Sequence, residues 1–171
     1  MIINHFTHNN KDTKCDISID SSMHPTDNDC CVTLMEEEIC LAVPASHLLS
    51  TRQSLRLNET AQESFICSHK GSGLRDITDA YCLQAGFRPR VVLESSNPGV
   101  VRDLETLDIG IAFIPKITWG SIEYGPNISM VDIEEPRCVR YIYMAWQDNR
   151  YLSSASKLFR EYLIDFFSDI R

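Results

Sequence analysis

The sequence predicts an α/β fold, on three observations. Short apolar runs alternate with helical patterns between Phe65 and Ile114. A long run from Val32 to Pro44, apolar through Ile39, Leu41 and Val43, reads as one strand stopped by its proline. The chain closes on an amphipathic helix in which Ala155, Leu158, Phe159, Tyr162, Leu163, Phe166 and Phe167 recur at the three- and four-residue steps of one helical face.

Met1 to Lys14 is polar and rich in Asn and His, without helical or strand period, and is expected to be poorly ordered. Cys15 to Asp20 alternates like a short strand, and Ser21 to Asp29 is turn-rich. After the long strand, Ser54 to Glu63 reads as a short polar helix or turn. Phe65 to Cys67 is a brief buried strand, closed by the polar loop Ser68-His69-Lys70-Gly71. Ser72 is placed to cap a helix, since its hydroxyl can accept from a free amide of the first turn. That helix carries Leu74, Ile77, Tyr81 and Cys82 on one face and stops at Gly86.

Arg90 to Leu93 makes the next strand, and Asn97-Pro98 opens a helix with cap and first-turn proline in the preferred order. Val100, Leu104 and Leu107 give this helix its apolar stripe. Ile109 to Ile114, Ile128 to Ile133 and Tyr141 to Trp146 complete the strands. Strand-helix alternation predicts a mainly parallel sheet. The terminal stripe predicts a buried helix face with no cofactor role.

The composition excludes several classes. With 171 residues, 43% hydrophobic and 23% charged, this is the make-up of a soluble globular protein, one domain or two small lobes sharing a sheet. No apolar run approaches bilayer length, and no basic stretch precedes an apolar one at the start, so no membrane partner and a cytoplasmic location are expected. Seven cysteines, an odd number without Cys-x-x-Cys, argue against a disulfide framework or zinc ribbon. The adjacent Cys30-Cys31 reads as reduced thiols ahead of a redox pair. A net charge of -8 without a basic stretch argues against direct nucleic-acid binding by this chain, because DNA affinity rests on Lys and Arg neutralising phosphates.

No enzyme is expected either. Cys67-Ser68-His69 is the one tempting cluster, but neighbours on an extended strand point to opposite faces. His24, His47 and His69 lack ligand spacing, and Gly71 and Gly73 lack the surroundings of a phosphate-binding loop, so no metal or cofactor is expected.

Three pieces occur in order: Gly71-Ser72-Gly73-Leu74-Arg75, Ala85-Gly86-Phe87-Arg88-Pro89-Arg90 and Ile109-Gly110-Ile111-Ala112-Phe113-Ile114-Pro115. Together with Cys15 to Ile19, Glu38 to Pro44 followed by Ser46-His47-Leu48-Leu49, and Tyr141 to Trp146, they resemble the effector-binding domain of LysR-type transcription regulators. The resemblance implies a two-lobed type 2 periplasmic-binding-protein-like fold with the first lobe incomplete. Residues 1–42 and 144–171 would form the partial first lobe and 43–143 the second, with Glu38 to Pro44 and Tyr141 to Gln147 crossing between them. Against that pattern, the family's winged helix-turn-helix and linker helix, and most of the first lobe's opening strand and helix, are expected to be missing from this sequence. The expectation is an effector-sensing domain without its own DNA-binding domain. Its partners would be a small-molecule effector, a carboxylate or amino acid, and LysR-type chains in a homo- or hetero-oligomer.

In such a fold the effector sits between the lobes, where helix N-termini and strand ends favour an anion. Ser96 is the first candidate, since it follows the strand Val91 to Leu93, precedes a helix and matches a family contact position. Capping by Ser96 or its neighbour Asn97 is the competing role. Ser72 reads first as a cap. Ser68 and Gly71 border the same loop, and Ser21 matches a further contact position at the end of the first strand. Asp20 beside it would repel a carboxylate and favour a cationic or neutral effector. Two rival functions are a free-standing solute-binding protein and a non-sensing interaction module or truncated remnant that pairs with intact relatives.

Overall fold

The computed structural model describes residues 16–97, 99, 103, 108–119, 127–146 and 152–168. Met1 to Lys14 and most of the helix expected after Asn97-Pro98 lie outside them. The described elements are β1 (Ile17–Ser22), β2 (Cys31–Pro44), β3 (Ser54–Arg56), β4 (Ser64–Cys67), α1 (Gly73–Gln84), β5 (Arg90–Glu94), β6 (Ile111–Pro115), β7 (Ile128–Glu135), β8 (Val139–Trp146) and α2 (Ser154–Ser168).

The sheet runs β1-β8-β2-β6-β4-β5, and β7 bridges β2 to β3. Its two halves share β2. The first part of that strand, from Cys31 to Glu38, pairs antiparallel with β8, and the part from Ile39 to Pro44 pairs with β6 and β7. This explains why the run is so continuously apolar: Ile39, Leu41 and Val43 enter one core, while Cys40 and Ala42 enter another on the opposite face. The larger core gathers Phe65, Leu74, Ile77, Tyr81 and Phe113 between sheet and α1.

Three expectations need correction. The sheet is mixed, not mainly parallel. β4 runs parallel to β5 and β6, but β2 runs antiparallel to β6, β7 and β8. A helical crossover such as α1 makes its flanking strands parallel, and β2 arrives without one. Second, Ser54 to Glu63 holds β3 and a single 3-10 turn, with Leu55 and Leu57 fully buried. Alternation about Arg56 was the strand signal there.

The third correction concerns α2, whose expected buried face is open. The helix rests on the sheet through the half-buried stripe Ser156, Arg160, Leu163 and Phe167. Arg160 lies 4.9 Å from the Trp146 ring centre, and the Ser156 hydroxyl donates to Asp16 at 2.7 Å. Leu158, Phe159, Tyr162 and Phe166 turn outward, 69%, 48%, 60% and 47% exposed. The helix therefore lies on the edge of its apolar stripe, because no described element covers the stripe's centre.

A candidate effector site at the mouth of β4

From β4 the chain forms α1 and returns as β5 on one side, then later as β6 on the other. This reversal makes the carboxyl end of β4 a topological switch point, where open α/β sheets place their ligand crevice. Five of the six candidate residues, Ser68, Gly71, Ser72, Ser96 and Asn97, fall on the loops that follow β4 and β5 at that end.

Ser68 follows β4, and its carbonyl accepts from Arg75 Nη1 at 3.1 Å. Arg75 is buried and also reaches Asp79 at 2.8 Å and Glu94 at 2.9 Å, so it ties the loop to α1 and β5. The hydrogen bond from Arg75 holds the Glu94 carboxyl below its ordinary range. Ser96 follows β5, and its hydroxyl accepts from the His69 amide at 3.3 Å, joining the two strand-end loops.

Gly71 has φ +83, a conformation that favours glycine, and turns the chain into α1. Ser72 then accepts from the Arg75 amide at 3.3 Å, as its reading as a cap required. Asn97 accepts from the Gly99 amide at 2.9 Å, the capping geometry that competed with a ligand role.

Ser21 arrives from the other half of the sheet. A methyl group at Gly73 would lie 2.6 Å from Asp20 Oδ1 and 2.7 Å from Ser21 Oγ, so glycine is what lets β1 close upon the first turn of α1. Asp20 Oδ1 accepts from the Ser21 amide at 2.8 Å and puts a carboxylate at this helix N-terminus. The sequence reading missed Gly73, because its role depends on a strand fifty residues away. It also missed His69 and Arg75, whose work is to join loops.

A further residue it missed is Glu37, fully buried on β2 where the two halves of the sheet meet. Its carboxylate accepts from the Ile117 amide at 2.8 Å, the Thr118 amide at 2.5 Å and Arg140 Nε at 2.8 Å. A buried charge needs such partners. The run Glu36-Glu37-Glu38 offered only the strand's inward-outward alternation as a signal.

Elsewhere, a shallow cavity of about 370 Å³ opens at the amino ends of β4 and β6. The bonds from Ser46 to Asp108 at 2.5 Å and between His47 and Glu63 at 3.2 Å cross its wall. It lies at the opposite end of the strands from the crevice. Burial raises the Cys67 thiol to about 11, so it stays protonated at neutral pH. Among the described residues, no cluster of three His, Cys, Asp or Glu could hold a metal. None of their helices is long and apolar enough to cross a membrane.

A sheet in two halves joined through one long strand, with polar loops and a helix N-terminus at its switch point, is the plan of a type 2 periplasmic-binding-protein-like domain. The solved structures share that plan. The effector-binding domain of QuiR, in complex with shikimate, matches with a TM-score of 0.78 at 28% identity, over 91% of this chain and 73% of that one. The CcmR regulatory domain of Synechocystis PCC6803, in complex with 2-PG, matches with a TM-score of 0.75 at 20% identity, over 96% and 78%.

The chain belongs to the LysR substrate binding domain family, whose model matches residues 11–168. It is 29% identical to the HTH-type transcriptional regulator YybE of Bacillus subtilis over 90% of its own length and 52% of that protein's. To the transcriptional dual regulator GltC of the same organism it is 28% identical, over 80% and 45%. The chain thus spans about half the length of these curated relatives, which are transcriptional regulators.

Proposed function

We propose that the chain senses a small-molecule effector in the crevice at the mouth of β4, without catalysing a reaction. Ser68, Gly71, Ser72, Ser96 and Asn97 would line one wall and Ser21 the other. The single observation that carries this reading is the convergence of those residues, from both halves of the sheet, on one topological switch point. The two lobes would be residues 1–42 with 144–171, and residues 43–143. Effector binding would draw the lobes together and shift an assembly equilibrium. With a net charge of -8 and no basic stretch, the signal would reach DNA through LysR-type chains associated with this one.

The ligand of the QuiR domain, shikimate, is a carboxylate. Amides at the start of α1 suit such a group, while Asp20 beside Ser21 opposes it. An amino acid, which offers a cation to Asp20 and a carboxylate to the amides, answers both. The test is thermal unfolding against a panel of amino acids and small carboxylates, shikimate included. One compound should raise the midpoint, since a ligand at a hundredfold excess over its Kd stabilises by about 2.7 kcal/mol. Ser96→Ala should shrink that rise. A cooperative transition that no compound moves would defeat the sensing reading and leave the non-sensing interaction module, which the open face of α2 favours.

A further inference from the structure

We propose that Arg140 anchors the carboxylate of the effector through the unused Nη1 edge of its guanidinium, an inference that rests on the sensing reading above. Arg140 stands near the start of β8, opposite Glu37, where β2 passes from one half of the sheet to the other. Its side chain is 11% exposed. Nε and Nη2 each lie 2.8 Å from Glu37 Oε2, and Nη2 also donates to the Thr118 hydroxyl at 2.6 Å. Among the described residues, Nη1 donates to no acceptor. Buried polar groups are as a rule hydrogen-bonded, so a largely buried guanidinium edge left open calls for an oxygen from outside the chain.

Strand register sets that edge between the two walls of the site. Ser21 pairs with Ile142, two residues from Arg140 on β8, and residues two apart share a face of the sheet. On the other side Glu37 pairs with Arg140, and Ile39, two residues further along β2, enters the core beneath α1. Ile39 in turn pairs with Pro115 at the carboxyl end of β6, the neighbour of β4. Arg140 therefore lies on the α1 face, between Ser21 and the strand end that Ser68 follows.

Charge selects the ligand class. Arg75, at the loops after β4 and β5, is matched by two carboxylates, Asp79 and Glu94. Arg140 meets one, and Glu37 divides its charge among that guanidinium, the Thr118 hydroxyl and the amides of Ile117 and Thr118. A guanidinium held in this way is a preorganised partner for a planar carboxylate. It adds a full positive charge to the partial one at the start of α1, and so offsets the repulsion from Asp20.

The experiment titrates the chain with the amino acids and with shikimate, each beside its carboxamide, and follows the unfolding midpoint. A compound that raises the midpoint should do so as the acid and not as the amide. Arg140→Lys keeps a cation opposite Glu37 but has no Nη1, and should bind that acid about tenfold more weakly. In the unsubstituted chain the Arg140 Nη1 resonance, assigned by its loss from Arg140→Lys, should move with the acid alone, a reading that needs no variant to bind. An acid that stabilises Arg140→Lys as well as the unsubstituted chain overturns the role of Arg140 and leaves the sensing reading standing. A carboxamide that binds as tightly as its acid does the same. A chain that no compound moves overturns both.

Discussion

The helices α1 and α2 share a pattern and differ in fate. α1 and α2 both begin after a serine whose hydroxyl accepts from an amide three residues on, Ser72 from Arg75 at 3.3 Å and Ser153 from Ser156 at 3.1 Å. Both carry an apolar stripe at helical spacing. Yet α1 buries Leu74, Ile77, Thr78, Tyr81 and Cys82, and α2 buries no residue at all. A helical period states that a face can be covered, not that the chain bearing it supplies the cover. For α1 the cover is β2, β4 and β6, elements that the sequence also contains. For α2, no element among the described residues covers the stripe.

The sharpest way to break that comparison is to truncate one apolar residue in each stripe. Ile77→Ala empties a site in the main core and should cost about 2–5 kcal/mol. Phe159→Ala, measured at concentrations where the chain is monomeric, should stay within about 0.5 kcal/mol, as exposed substitutions do. Urea unfolding of both variants in dilute solution reads the difference. If Phe159→Ala cost as much as Ile77→Ala in a monomer, the helix would have to be covered by the chain itself, and the contrast would collapse.

Two tyrosines sharpen the contrast on polar grounds. The Tyr81 hydroxyl donates to the Val139 carbonyl at 2.9 Å and accepts from the Val139 amide at 3.1 Å, so it satisfies both backbone groups at the start of β8. Burial raises its phenol above the ordinary range. Tyr81→Phe should leave a buried donor and acceptor unpaired and cost about 1–3 kcal/mol. Tyr162→Phe, on the open stripe, should leave the unfolding midpoint of the monomer where it was. Equal effects at the two positions would deny the difference in burial that separates the helices.

This contrast also marks what the sequence made legible. Period and punctuation located β2, β4, β5, β6 and α1 within one or two residues, because strand alternation, Pro44 and Pro115, and the Ser72 cap act locally. The short signal of Leu55 and Leu57 about Arg56 was overshadowed by the polar residues around it. The layout of the candidate site was legible in part. Ser68, Ser72 and Ser96 sit at ends of local elements, so their convergence follows once the strand order is known. Gly73 was not legible, because the demand for a hydrogen in place of a side chain comes from Asp20 and Ser21 across the crevice. Glu37 was hidden for the same reason: its partners Ile117, Thr118 and Arg140 lie about eighty and a hundred residues away.

The smallest expected effect tests whether the two helices are alike where they should be. A cap depends on the first turn alone, not on what the helix packs against. Ser72→Ala and Ser153→Ala each remove the acceptor of one first-turn amide, and replacing a capping serine by alanine costs about 1 kcal/mol. Only the readout should differ. In α1 the loss couples to the core through Leu74 and Ile77, so it should lower the global unfolding midpoint. In α2, where no side chain is fully buried and four are half-buried, the same loss should appear as faster amide hydrogen exchange confined to its first turn, with the global midpoint unmoved. Should Ser153→Ala lower the midpoint as Ser72→Ala does, α2 would belong to the same cooperative unit as α1. The half-buried stripe of Ser156, Arg160, Leu163 and Phe167 would then hold it to the sheet more firmly than its exposure implies.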